Sequence, residues 1–228
     1  MTRVLNAAVF ASGGGTNFQA LLDREGPEGG ALWQTRVLVV DRDGIGATLR
    51  AKRAGVPVCH MPVSGRDPEE LGEATLAVLG AAQVEVILLA GYLRLVPAVV
   101  TAAFRRRILN VHPALLPDFG GKGMWGRAVH EAVIRSGAKR SGATVHYVDD
   151  RYDEGAILAQ WPVPVLAGDD ADALAARVLA VEHLLYPLTA QHVCRALANG
   201  EDPAPLPPPG DADPAHLATL VQRAFTSR

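Results

Sequence analysis

The sequence predicts an α/β fold: a doubly wound, mostly parallel sheet with an antiparallel C-terminal extension. Three observations carry the prediction. Strand-like and helix-like patterns alternate from the N-terminus to residue 136, which implies right-handed crossovers between parallel strands. The run Val84 to Ala90 is continuously apolar and rich in β-formers, as a strand covered on both faces requires. After Gly142 the period changes, and two strand patterns follow with only an acidic turn between them.

Val4 to Ala11 reads as the first strand, followed by the glycine-rich Ser12–Asn17 and a helix with Phe18, Leu21 and Leu22 on one face. Arg36 to Val40 is a second strand, and Ala47 to Ala54 a helix stopped by Gly55. Val56 to Met61 predicts a third strand and Pro68 to Ala82 a third helix. The apolar run follows, then a short helix over Pro97–Phe104 and a strand over Arg107–Val111 that leads into His112-Pro113. Pro117 to Gly126 reads as a glycine-rich loop, and Arg127 to Arg135 as a helix. Ala143 to Val148 and Ala156 to Val165 form the antiparallel pair. Asp170 to Ala198 is a long helical pattern broken only by Pro187. Ala204 to Gly210 is a proline-rich linker, and Pro214 to Phe225 a tail helix that packs back on the body.

With 228 residues, 49% of them hydrophobic, the chain is long enough for a sizeable core. A formal net charge of −2 argues against bulk attraction to nucleic acid or an anionic membrane, so any anion must be captured locally. No bilayer-spanning run is expected, since the most apolar stretch is far too short. Nor is a signal peptide, because Met1-Thr2-Arg3-Val4 runs straight into a strand pattern. Cys59 and Cys194 lack metal-type spacing and read as reduced thiols, in keeping with a cytoplasmic protein that uses no metal.

Ligands of doubly wound sheets bind outside the carboxyl ends of the strands. That directs attention to the residues after Ala11, Ala90 and Val111. After Ala11, Gly13, Gly14 and Gly15 let the backbone turn tightly and expose N–H groups at a helix start, a phosphate-binding arrangement to which Thr16 adds a hydroxyl and a helix cap. The loop lacks the Gly-Lys-Ser/Thr of a Walker motif, and Phe18 replaces the third glycine of Gly-x-Gly-x-x-Gly. The alternative is a turn that only reverses the chain. After the later strand, Asn110 and His112 are two apart and project from one face. Asparagine supplies a neutral donor for an oxyanion, and histidine a group that titrates near neutrality. A carboxylate partner for His112 is expected in the acidic turn, where Asp149, Asp150, Asp153 and Glu154 have equal claims.

The chain resembles the folate-dependent phosphoribosylglycinamide formyltransferases of purine synthesis over nearly all of residues 3 to 198. The motifs are Ser12-Gly13-Gly14-Gly15-Thr16-Asn17, Leu89 to Leu95, Asn110-Val111-His112-Pro113-Ala114-Leu115-Leu116-Pro117, Thr144 to Val148 and Asp153-Glu154-Gly155. The resemblance implies a Rossmann-like formyltransferase domain over residues 1–200. Its phosphate-binding half would cover about 1–105 and its folate and catalytic half about 106–200, with the linker and tail over 201–228. It selects Asp153 as the partner of Asn110 and His112. It implies that Gly13, Gly14, Gly15, Thr16 and Asn17 bind the phosphate of glycinamide ribonucleotide (GAR), and that Glu182 contacts the same substrate. Tyr92, Leu93, Arg94, Leu95, Val96 and Asn110 would line the folate pocket, with Asp149 and Asp150 in a loop over it and Arg66 nearby.

The implied reaction is direct attack of the GAR amine on the formyl carbon of 10-formyltetrahydrofolate. Asn110 and a protonated His112 would stabilise the oxyanion, and Asp153 would keep His112 cationic and help remove the amine proton through water. The partners implied are these small molecules, with neither nucleic acid nor membrane, in a monomer or homodimer. Asp118 to Gly126 departs from the family by being longer and richer in glycine, with Lys122 as a candidate anion contact. His146 reads as a structural neighbour of the site, while His60, His130 and His183 have no assignable chemistry. Methionyl-tRNA formyltransferase is disfavoured by the negative charge and the short stretch after Gly200, and formyltetrahydrofolate deformylase by a first strand at residue 4. A non-catalytic nucleotide- or folate-binding module would satisfy the glycine loop but not the polar pair.

Overall fold

The computed structural model describes residues 3–26, 29–207 and 214–226, so residues 208–210 of the predicted linker lie outside the described part. Seven strands form one sheet in the order β3-β2-β1-β4-β5-β6-β7. β1 (Leu5–Ala11), β2 (Trp33–Val40), β3 (Val58–His60), β4 (Val86–Leu89) and β5 (Ile108–His112) run parallel. β6 (Arg140–Tyr147) and β7 (Ile157–Pro164) continue the sheet antiparallel. The strand order reverses beside β1, because β2 and β3 extend one way and β4 the other. Such a reversal opens a crevice at the carboxyl ends of the strands.

Both faces of the sheet are covered, as the apolar run of β4 requires. Val9, Ala11, Val86 and Leu88 enter one core with α1 (Thr16–Leu22), α2 (Gly46–Ala54), α5 (Arg127–Ser136) and α6 (Ala171–Asn199). Phe10, Ile87 and Leu89, their alternates, enter a second core with α3 (Pro68–Ala81) and α4 (Ala98–Ala103). α6 is long and apolar enough by composition to cross a bilayer. Its apolar residues, Leu174, Val178, Val181, Leu185 and Tyr186, are spent on the sheet instead. α7 (Pro214–Thr226) packs on α6 through Leu217, Val221 and Phe225, so the tail does return to the body.

Three expectations change. β2 begins at Trp33 rather than Arg36, because Trp33 and Thr35 are buried between exposed Gln34 and Arg36 and extend the alternation. β6 begins at Arg140, before Gly142. That glycine sits inside the strand, where a Cβ would come within 2.3 Å of Trp161 O and 2.7 Å of Leu115 Cδ2. It therefore marks close packing and not the end of a helix–turn segment. Pro187 does not break α6, since burial of Leu185, Tyr186 and Leu188 around it overrides its poor helix propensity.

Candidate active site

β5 sits at the junction of the two pairing modes, parallel to β4 and antiparallel to β6. Its Asn110 and His112 both line a cavity of about 500 Å3 at the carboxyl end of the sheet. The predicted pair thus faces one space. The chain beyond it is held by Thr144, whose Oγ1 donates to Ala114 O (2.6 Å) and accepts from Leu116 N (3.0 Å). Gln160 Nε2 adds a 2.8 Å bond to Leu116 O.

Asp153 is the acidic residue that reaches this pair. Its Oδ2 lies 3.5 Å from His112 Nδ1 and its Oδ1 3.5 Å from His146 Nε2. The Gly121 amide donates to Oδ2 at 2.9 Å. Asp153 adopts φ +57°, a left-handed conformation that aspartate tolerates better than most residues. The glycine that follows two residues later is fixed by contact, because a Cβ on Gly155 would fall 1.8 Å from Tyr147 O. Burial alone raises the Asp153 pKa, but His146, His112 and the Gly121 amide outweigh it and hold the carboxyl below its ordinary value.

His112 is almost fully buried, and its Nε2 bonds Phe119 O at 2.8 Å. Both ring nitrogens therefore face acceptors, an arrangement that an imidazolium satisfies in full. Burial nevertheless lowers the His112 pKa by more than Asp153 and the Phe119 carbonyl raise it. The expected cationic form is thus disfavoured in this arrangement. His146 is more than a neighbour. Its Nδ1 donates to Tyr147 O (2.7 Å), and its Nε2 lies 3.1 Å from Asn110 Nδ2 and 3.5 Å from Asp153 Oδ1, so one ring nitrogen sits between the Asn110 amide and the carboxylate.

The glycine loop divides. Gly13 and Asn17 line the cavity. Gly14 and Gly15 are in contact with α2: a Cβ on Gly15 (φ +73°) would meet Ala47 Cα at 2.8 Å, and one on Gly46 would meet Gly14 O at 2.7 Å. Thr16 does not cap α1, whose N-cap is Gly15; it faces a separate groove with Arg50 and His183. Arg50, unforeseen from sequence, donates to Gly14 O at 2.9 Å and places a cation beside the loop. Glu182 crosses from the second half of the chain to accept from Asn17 Nδ2 at 3.0 Å. Burial pushes its carboxyl up to about 7, against the Asn17 hydrogen bond.

Tyr92, Arg94, Leu95 and Val96 line a smaller cavity that shares Tyr92, Asn110, Tyr152 and Asp153 with the first; Leu93 lines the first. The segment is tied down by Asp41 at the end of β2, whose side chain is fully buried. Arg94 Nε donates to Asp41 at 2.9 Å, Arg42 donates to it at 3.0 Å, and Ser12 accepts from Leu93 N at 3.0 Å. Burial raises the Asp41 pKa, but Arg42, Arg94 and the Ser12 hydroxyl reverse this and leave it lowered. Arg66 lies against Met61 Sδ (3.2 Å) and lines neither cavity. Asp149 and Asp150 also stay outside, and Arg151 and Tyr152 of that loop line the smaller cavity instead. In the glycine-rich loop Met124, Trp125 and Gly126 reach the larger cavity, whereas Lys122 does not. His130 of α5 lines it too.

The family model described as formyl transferase matches residues 5–190. The chain is 47% identical over 189 residues to a chloroplastic phosphoribosylglycinamide formyltransferase of Vigna unguiculata, with 82% of this chain and 60% of that protein covered. It therefore spans less than two thirds of that relative's length. It is 36% identical over 183 residues to the phosphoribosylglycinamide formyltransferase of Bacillus subtilis, covering 79% of this chain and 90% of the relative. The crystal structure of the enzyme of that name from Bacillus halodurans superposes with a TM-score of 0.77 at 34% identity, covering 86% of this chain and 97% of the other. With the sheet, the cavity and these matches in agreement, the chain belongs to the formyl transferase family.

Proposed function

We propose that the protein transfers the formyl group of 10-formyltetrahydrofolate to the amine of 5-phosphoribosylglycinamide, giving formyl-GAR and tetrahydrofolate. The observation that carries this reading is the convergence of Asn110, His112 and Asp153 on a cavity that Gly13, Asn17 and Glu182 also line. One end suits a phosphorylated amine and the other a reacting carbonyl. The segment Tyr92–Val96, with Asn110, receives the folate ring in this reading, and the backbone N–H groups of Gly13 to Asn17 the phosphate, helped by the charge of Arg50.

The amine lone pair attacks the formyl carbon and the carbonyl π pair moves onto oxygen. Asn110 donates to that oxyanion. His112 Nε2–H exchanges its Phe119 carbonyl partner for the oxyanion, whose charge favours the imidazolium that burial otherwise resists. The intermediate collapses with cleavage of the bond between the formyl carbon and the folate nitrogen. The amine nitrogen gives up one proton through water to Asp153, and Asp153 passes that proton through water to the leaving folate nitrogen. Holding both reactants side by side supplies much of the rate gain.

The test is to mix the protein with 10-formyltetrahydrofolate with and without GAR. Formyl-GAR formed only when the ribonucleotide is present supports the reading. Formate release without it indicates a hydrolase, and binding without turnover indicates a non-catalytic module.

A further inference from the structure

The cavity holds a polar group that the reaction above does not use. His130 is 5% exposed and projects from α5 into the same space as His112 and Glu182. Its Nδ1 is buried without a hydrogen-bond partner among the described residues. Native folds pair nearly all such atoms, so an orphan in a ligand cavity marks a place where a ligand atom completes the bonding. A second orphan, Asn17 Oδ1, lies on another residue lining that cavity. Asn17 is already spoken for on its amide nitrogen by Glu182. Its free oxygen accepts only, so it calls for a hydroxyl or N–H, not a phosphate oxygen.

We propose that His130 is a specificity residue of the amine-substrate site, hydrogen-bonding an uncharged hydroxyl or amide of the ribosyl-glycinamide portion while Asn17 Oδ1 accepts from a second donor on the same molecule. This inference rests on the formyl-transfer reading. The chemistry of the partner follows from charge. Burial and then the neighbouring His112 lower the His130 pKa, so the ring is a neutral donor–acceptor suited to a hydroxyl or amide. Phosphate is better served at the glycine loop, where Arg50 donates to Gly14 O. The surrounding wall, Ala175, Val178 and Leu179 of α6, offers no competing polar atom from its side chains.

Steady-state kinetics with each substrate varied in turn, on wild type, His130→Leu and His130→Gln, tests the assignment. Loss of the imidazole in His130→Leu should raise KM for GAR ~10-fold, the size of one neutral hydrogen bond, and leave KM for 10-formyltetrahydrofolate within about twofold. His130→Gln should recover most of that loss, because it restores a donor and an acceptor. Should His130→Leu fail to fold, His130→Met carries the same comparison. Equal KM values for GAR in wild type and the apolar variant overturn the inference. So does an equal rise in the apolar and glutamine variants, which would report packing alone. A wild-type protein that forms no formyl-GAR overturns the functional reading and this inference together, whereas an active wild type with indifferent variants overturns the inference only.

Discussion

Glu182 is a carboxyl held in the core with one hydrogen bond, and its consequences for pH run opposite to those of His112. With its folded pKa near 7 and an unfolded value near 4.5, Glu182 binds more protons in the folded chain between those values. The stability it supports is complete below about pH 4.5 and lost as pH rises through 7, by roughly 3 kcal/mol in all. Glu182→Gln should abolish that loss, and urea unfolding at pH 5 and pH 8 would show it as a smaller difference between the two. His112, with a lowered folded pKa, removes stability as pH falls below its unfolded value. At the same scale, Asn110→Ala and Asp153→Asn should each cut turnover by ~10²-fold or more while melting normally. Near-normal formyl transfer by either variant would sink the assignment of both. The pair Asn110 and His112 was legible because strand periodicity alone puts them on one face. Asp153 was not separable from Asp149, Asp150 and Glu154 without family resemblance, since its position depends on a left-handed turn. His146 and His130 were illegible as site residues, because their relation to Asn110 and the cavity arises from strand pairing and helix packing.

At the scale of elements, the segment after β4 carries no regular structure of its own and depends on what anchors it. Asp41 joins β2 to Arg94, and Ser12 at the end of β1 accepts from Leu93, so one polar cluster fixes the segment Tyr92–Val96 against the start of the glycine loop. Asp41→Asn should loosen it, raising KM for the folate about tenfold with kcat within about threefold. A kcat loss with unchanged KM would contradict that role. Sequence periodicity located every strand and helix here, but boundaries moved where tertiary contact decided them, as at Trp33 and Gly142, and burial carried α6 through Pro187. The glycine loop illustrates the same limit. Its composition suggested three glycines free to turn toward an anion, yet Gly15 owes its lack of a side chain to the approach of α2, where a Cβ would meet Ala47.

For the whole molecule, the parallel half of the sheet supplies the crevice and the antiparallel half supplies Asp153 and His146. The alternation of strand and helix patterns made the first half legible, and the change of period made the second. The tail was placed by its amphipathic pattern, but its anchors were not. Leu206 N bonds Leu158 O on β7 at 2.7 Å, and Phe225 packs edge-on against Trp33 at 5.9 Å. Removing residues 201–228 strips Leu217, Val221 and Phe225 from the core, a loss of roughly 3–6 kcal/mol. A scanning calorimetry trace should show the midpoint lower by roughly 10 °C. Formyl transfer at low temperature should survive, because no described residue of the tail lines the catalytic cavity.

The exposure of Trp125 gives the molecule an optical reporter of its own. Of the three tryptophans, Trp33 and Trp161 are buried at 1% and 3% exposure, while Trp125 is 53% exposed at the mouth of the cavity. Quenching by acrylamide therefore addresses Trp125 almost alone. A ligand that enters beside it shields that indole, and the emission change follows occupancy without a label or a turnover. Variants whose turnover falls steeply, such as those at Asn110 and Asp153, remain open to measurement by light.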